Sequence, residues 1–371
     1  MDSANYQHKA VRHTFIVFVA LFCLFGVSSC DKSQQQVLME NLSLPKENHP
    51  EWSELFTHNF AVTRLETTPD CIIGMIDKIK KFKNEYYIAS STKSVFRFNG
   101  DGKFVMSLDK MGQGPEEYIR VEDFDVYEIN GKVEIWISDN ESLKVYDADN
   151  GVFIREMNFP FVIHKFKRMK NGHILLVTGQ KDHSLTLTDE RGEVISEYLG
   201  KEIPYLMFRA VQFVEYNNKY LFQLGISNAY VAFDSETETF NRGIYSKENV
   251  FLTDKQLLEM FRAFGIDFIR EANNRSYLSN ITPLGNKVWC QIRHANKNYL
   301  SKISERDMVS TEFSYGTFLS TISIGESENS LLLYLQPDQL LDSGKTLIDK
   351  SGVEIQCQLD DNPIIVEFFQ D

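Results

Sequence analysis

A hairpin with a Gly-marked or acidic turn recurs along this chain every 40–50 residues or so, except for one gap near seventy, and a repeat of roughly that period restricts the fold to architectures built from copies of one supersecondary unit. The turns fall at Asn99-Gly100-Asp101-Gly102, Asp147-Ala148-Asp149-Asn150-Gly151 and Asp189-Glu190-Arg191-Gly192. Less regular copies occur at Asp234-Ser235-Glu236-Thr237 and Ser304-Glu305-Arg306-Asp307. Alternating segments flank them, such as Lys132-Val133-Glu134-Ile135-Trp136-Ile137 and Ser142-Leu143-Lys144-Val145-Tyr146, whereas His173-Ile174-Leu175-Leu176-Val177 is continuously apolar. Half-buried strands alternate, and strands covered on both faces do not. Blades stacked face to face produce that gradient from inner to outer strand.

The reading is an all-β chain forming a six-bladed β-propeller over residues 59–371. Its blades are placed at 72–110, 119–158, 163–198, 209–246, 275–314 and 317–369. The last is irregular, with strands at 318–324, 331–335 and 362–369. Residues 60–66 are expected to supply its missing outer strand and leave no open edge. Between the fourth and fifth blades, residues 253–273 read as a helical insertion. Thr253 and Gln256 form a capping box there, and Leu257, Phe261, Phe264 and Phe268 make one apolar stripe that Gly265 weakens. Packing on the side of the propeller is favoured for it over a lid.

The N-terminus is a targeting segment. Lys9, Arg12 and His13 precede an apolar run at 15–27, too short to span roughly 30 Å of hydrocarbon comfortably. Val27-Ser28-Ser29-Cys30 resembles a bacterial lipobox, with Cys30 the lipidated thiol. A secretory leader with an incidental cysteine, or a membrane anchor, leaves the coincidence of apolar run, small residues and cysteine unexplained. Residues 1–30 are therefore the lipoprotein signal and 31–58 a polar tether. The membrane is reached through the lipid alone, and the expected location is the cell envelope, at the outer membrane or on the periplasmic side.

With 43% hydrophobic and 13% aromatic residues the chain can fill a core, and a formal charge of −13 speaks against nucleic acid as a partner. The densest basic run, Lys78, Lys80, Lys81 and Lys83, reads as a solvated strand and turn. Once Cys23 leaves with the signal and Cys30 is lipidated, Cys71, Cys290 and Cys357 remain, at spacings that fit no zinc site. Cys290 reads as a buried inert thiol. Cys71 and Cys357 come near the two ends of the ring, where pairing is open.

Gly102-Lys103-Phe104, Gly112-Gln113-Gly114-Pro115-Glu116-Glu117-Tyr118, Ile135-Trp136-Ile137-Ser138-Asp139, Val145-Tyr146-Asp147 and Gly151-Val152-Phe153 together resemble an NHL-type propeller repeat. With the ending Asn362-Pro363-Ile364-Ile365-Val366, residues 60–370 resemble the six-bladed β-propeller lipoproteins common in the Bacteroidetes. That resemblance implies an exported, lipid-anchored propeller of largely uncharacterised function, often carried by gut bacteria that handle host or dietary polymers. NHL-like propellers bind proteins, RNA or small ligands and a few are lyases, so fold alone does not assign a role.

Motifs for catalysis are missing from the reading. The Gly112–Tyr118 loop lacks the Lys-Ser/Thr of a phosphate loop and reads as an inter-blade turn. Asp147, Asp149 and Gly151 lack the remaining ligands of a calcium loop. His58, His164, His173, His183 and His294 show no metal spacing, and neither metal nor cofactor is expected. Topology offers more. Loops that join blades, and loops between second and third strands, share one face of a propeller, and on it fall Arg120, Asp139, Lys165, His183, Arg209, Arg293 and His294. This set is the expected ligand-binding surface, with the arginines as forks for hydroxyls or carboxylates. The leading function is a non-catalytic binding or scaffold module for glycan or protein. The alternative is a propeller-type hydrolase or lyase acting on a sugar or lactone. Replacing Cys30 by Ala should release the protein from the membrane fraction and abolish lipid incorporation; a variant that fractionates as wild type without lipid contradicts the lipobox.

Overall fold

The structure is a computed structural model that describes residues 39–45, 60–179, 182–200, 207–223, 225–305, 307–313, 325–327, 330–344, 346–349 and 351–369. The signal and Cys30, most of the tether, and the strand expected at 318–324 lie outside the described residues.

Six antiparallel four-stranded blades form a propeller ring. The first comprises β2 (Ile76–Phe82), β3 (Glu85–Ser90), β4 (Val95–Phe98) and β5 (Phe104–Leu108). The second comprises β6 (Asp123–Ile129), β7 (Lys132–Asp139), β8 (Ser142–Asp147) and β9 (Phe153–Asn158). The third holds β10 (Ile163–Arg168), β11 (Ile174–Thr178), β12 (His183–Thr188) and β13 (Val194–Gly200). The fourth holds β14 (Val214–Tyr216), β15 (Lys219–Phe222), β16 (Ala229–Asp234) and β17 (Thr239–Ile244). The fifth holds β18 (Tyr277–Leu284), β19 (Lys287–His294), β20 (Lys297–Ile303) and β21 (Met308–Phe313). The sixth takes β22 (Gly325–Glu326), β23 (Ser330–Leu335) and β24 (Ile364–Phe369), with β1 (Phe60–Arg64) outermost.

The burial gradient follows the sequence pattern. Every residue of β11 is buried, while β13 alternates between exposed and half-buried positions until Leu199. The repeated turn has one local cause. The side chain of Asn99, Asp147, Asp189 or Asp234 accepts two backbone N–H groups from the residues just after it, so each hairpin between third and fourth strands closes on its own first residue. Hairpins between first and second strands use two-residue turns with both residues left-handed, as at Asn130-Gly131 and Asn217-Asn218.

Closure depends on both ends of the chain. β1 pairs antiparallel with β24, Phe60 opposite Phe368 and Arg64 opposite Ile364. On the inner side β22 pairs parallel with β2, so first and last blades share one eight-stranded sheet. Asn362 clasps the junction. Its Oδ1 accepts from Ile73 N at 2.7 Å, and its Nδ2 donates to Glu66 O at 2.6 Å and Cys71 O at 2.7 Å. Pro363 follows at the entry to β24, where a missing N–H costs no ladder bond.

The Gly112–Tyr118 loop is a structural turn. Tyr118 is fully buried with Oη donating to Leu108 O at 2.9 Å, and Glu117 accepts from Gly114 N at 2.8 Å. A Cβ at Gly112 would collide with the Glu117 carboxylate. The insertion between the fourth and fifth blades (fifth and sixth when the blade containing β1 is counted first) is helical, as α1 (Asp254–Phe264) and α2 (Phe268–Ala272). Thr253 and Gln256 form the capping box, and Gly265 breaks the helix at φ 58°. Leu257, Phe268 and Ala272 pack with Ile226 and Leu252, and Phe261 lies against them, whereas Phe264 of the stripe is exposed. A third helix, α3 (Pro337–Ser343), sits in the connection from β23 to β24.

One reading changes here. Residues 39–45, taken above as tether, are packed against the fourth and fifth blades: Met39 and Leu42 are buried, and Leu42 N donates to Tyr245 O at 2.9 Å. Cys71, Cys290 and Cys357 are all free. Cys71 donates to Glu66 O beside the Asn362 clasp, and burial pushes the Cys290 thiol up to about 12.

Asn362→Ala would take their Asn362 partner from Ile73 N and Cys71 O and leave Glu66 O with the Cys71 thiol, at about 1–3 kcal/mol for each of the first two, so a loss of about 2 kcal/mol or more is expected in urea unfolding. Deleting residues 39–45 should cost about 3–6 kcal/mol for the two buried side chains. Unchanged midpoints would contradict the clasp and the docked segment respectively.

Candidate functional site: a charged inner channel and its cavity

Innermost strands run parallel around the ring axis, so residues at matching positions on adjacent strands meet. β2 carries Lys78 and Lys80, β6 carries Asp123 and Asp125, and β10 carries Lys165 and Lys167. A two-residue period puts each pair on one side of its strand. Register shifts between Ile76 and Lys78, and between Ile163 and Lys165, precede both lysine pairs and aim them at the acids. Two layers result. Lys78 Nζ lies 3.0 Å from Asp123 Oδ1 and Lys165 Nζ 3.5 Å from the same oxygen. Lys80 Nζ lies 3.2 Å from Asp125 Oδ1 and Lys167 Nζ 3.0 Å from Asp125 Oδ2.

Asp125 also accepts from Val126 N at 2.8 Å and from Tyr127 Oη at 2.9 Å. Burial alone would raise its pKa, but Lys167, Lys80 and Lys78 outweigh that and hold the carboxyl far below the usual range. Burial drives Tyr127 well above its ordinary value, with Asp125 adding to the effect. Burial likewise lowers Lys165, and the Asp123 charge opposes it. Lys81, on the other side of β2, reaches Glu367 at 2.7 Å, and Lys83 meets Glu128 at 2.6 Å. The basic run read above as solvated is therefore mostly an inner-strand feature; Lys78 is 5% exposed, and only Lys83 answers to the first description.

At the C-terminal ends of these strands lies a cavity of about 520 Å³. Every blade contributes to its wall: Lys80 and Lys81 from the first, Tyr127 from the second, Lys167 from the third, Glu215 and Tyr220 from the fourth, Thr282 from the fifth, and Ser327 and Ser330 from the sixth. Phe82 and Phe213 add aromatic surface, and the Lys170–Glu215 pair stands at the wall with side chains 83% and 46% exposed. Among the described residues no cluster of three His, Cys, Asp or Glu could hold a metal ion.

The seven residues expected to bind ligand lie elsewhere; none lines this cavity. Strand direction explains it. The cavity sits at the ends of the inner strands, where first-to-second-strand hairpins turn, and the seven were chosen for the opposite face. Arg120 pairs with Glu122 at 2.9 Å, and Asp139 accepts from Ile119 N and Arg120 N, pinning the link between blades. Lys165 belongs to the upper charge layer, and His183 lies 3.5 Å from Glu197. Arg209 donates to the carbonyls of Met207, Gln223 and Gly225, and burial lowers it to about 10. Arg293 bonds Asn273 O and Asn298 Oδ1, and His294 meets Ser276 at 2.8 Å. The cavity's signal was visible in sequence as Lys-x-Lys, Asp-x-Asp and Lys-x-Lys on three successive first strands.

The model of the family described as a domain of unknown function, DUF4934, matches residues 44–368. The chain belongs to that family. No curated protein matches it. Among solved structures, a Bacteroides fragilis protein described as exported is similar at 16% identity with a TM-score of 0.68, covering 87% of this chain and 98% of that one. A DUF4221 family member from Bacteroides vulgatus is similar at 12% identity with a TM-score of 0.52, covering 85% and 97%. At these identities the DUF4934 propeller shares their fold. Among the described residues no helix is long and apolar enough to cross a membrane.

Asp125→Asn would leave Lys80 and Lys167 facing a neutral group, and a loss of about 3–5 kcal/mol is expected. Because the folded pKa of Asp125 is depressed, its stabilisation is present above its unfolded value of about 4 and is lost as pH falls toward the folded one. Wild-type stability should therefore drop below pH 4 or so more steeply than that of the variant. Parallel acid profiles would contradict this role.

Proposed function

We propose that this DUF4934 propeller is a non-catalytic binding module of the cell envelope, lipid-anchored at Cys30, that holds a glycan in the inner-strand cavity. The supporting observation is the cavity itself. Its volume of about 520 Å³ falls within the roughly 300–1,000 Å³ typical of small-ligand sites. Aromatic rings from Phe82, Tyr127, Phe213 and Tyr220 stand beside the hydroxyls of Thr282, Ser327 and Ser330, a mixture suited to the apolar faces and hydroxyl edges of a sugar. The exported description of the Bacteroides fragilis relative supports an extracytoplasmic place.

A sugar hydrolase or lyase would need an acid poised to give up a proton near neutrality. Asp125 is held ionised by three lysines, and the carboxylate on the described wall, Glu215, is paired with Lys170 at 3.0 Å. Binding is the better account of these groups.

A glycan array followed by calorimetry tests the proposal. Lys170→Ala should weaken binding at least about ten-fold, or 1.4 kcal/mol, with melting unchanged, and Arg120→Ala on the opposite face should leave it intact. Absence of any glycan binding overturns the reading. Loss with Arg120→Ala but not with Lys170→Ala moves the site to the other face.

A further inference from the structure

Resting on that glycan reading, we infer that the ligand is an acidic saccharide, whose carboxylate or sulfate seats against the lysines of the inner strands. Five cationic residues, Lys80, Lys81, Lys167, Arg168 and Lys170, line the cavity against Glu215. Just behind the wall stand Asp125 and Glu367, and β22 carries Glu326 in register with Lys80. Among the described side chains these five cations outnumber the carboxylates of Glu215, Asp125 and Glu367, in a chain whose formal charge is −13.

The acids nearest the lysines are already engaged. The two oxygens of Asp125 accept from Val126 N, Tyr127 Oη, Lys80 and Lys167, and a carboxylate offers about four acceptor sites. Glu367 accepts from Lys81, from Tyr86 Oη at 3.2 Å and from Ser330 Oγ at 2.5 Å. These networks fix the lysine stems, so a ligand anion meets ammonium groups already ordered at the wall, and little rotamer entropy remains to be lost on binding. Low-dielectric walls focus that positive field into the opening. Ser327 and Thr282 place hydroxyls on the same wall for the neutral positions of the sugar.

The test is calorimetry of the full-length protein with trigalacturonate, a galactose-6-sulfate disaccharide and neutral maltotriose. The two acidic probes separate carboxylate from sulfate, and binding of either at least ten-fold or so tighter than maltotriose supports the inference. Affinity of the preferred probe should also fall several-fold between about 50 and 500 mM salt, as the Debye length shortens. Lys170→Glu, a change at an exposed side chain, should weaken the acidic probes by a larger factor than it weakens maltotriose and leave melting unchanged. If maltotriose binds as tightly as the acidic probes, or salt has no effect, the charge inference is overturned and the glycan reading stands. If no saccharide binds, the glycan reading fails, and the inference with it.

Discussion

The structure depends on the joining of its two chain ends in one blade. A ring of six sheets has no stabilising contact across its gap until β1 lies against β24 and β22 against β2, and both pairings require segments more than 240 residues apart in sequence to meet. Asn362 makes the junction specific. Its side chain satisfies an N–H and two carbonyls from the loop that leads from β1 into β2, so outer and inner closures share one buried hydrogen-bonded node.

Closure has an electrostatic consequence. Once the inner strands stand side by side, the charges on β2, β6 and β10 are brought into one low-dielectric space. Four lysines around two aspartates are costly to desolvate, and such a cluster is tolerable only with close geometry and extra hydrogen bonds. Tyr127 supplies one of these to Asp125 and itself accepts from Arg168 N at 2.8 Å. A hydrophobic filling of the same volume would serve stability as well or better. The cavity lies directly beyond the layer of Lys80, Asp125 and Lys167, and both of those lysines line it.

Much of the fold was legible because its causes are local. The Asx-closed turns at Asn99, Asp147, Asp189 and Asp234, the fully buried β11 beside the alternating β13, and the capping box at Thr253 each rest on neighbours within a few residues. What escaped the sequence reading is non-local. Lys78 and Lys80 look solvated until the bulge after Ile76 turns them toward a strand 45 residues further on. Met39 and Leu42 sit in a polar stretch, and only the gap between two blades gives them a place to bury. The expected ligand face was chosen because blade-joining loops share it and carry mixed charge; Arg120, Arg209 and Arg293 have intramolecular partners there, and the described cavity opens at the other ends of the inner strands.

Hydrogen–deuterium exchange with and without an acidic oligosaccharide tests the central claim most directly, because it reads both faces of the ring at once. The account predicts added protection at the inner-strand ends, around residues 80–84, 167–171, 213–220 and 282–286. Protection confined to 118–122, 207–212 and 291–296 would place the ligand on the opposite face and contradict it.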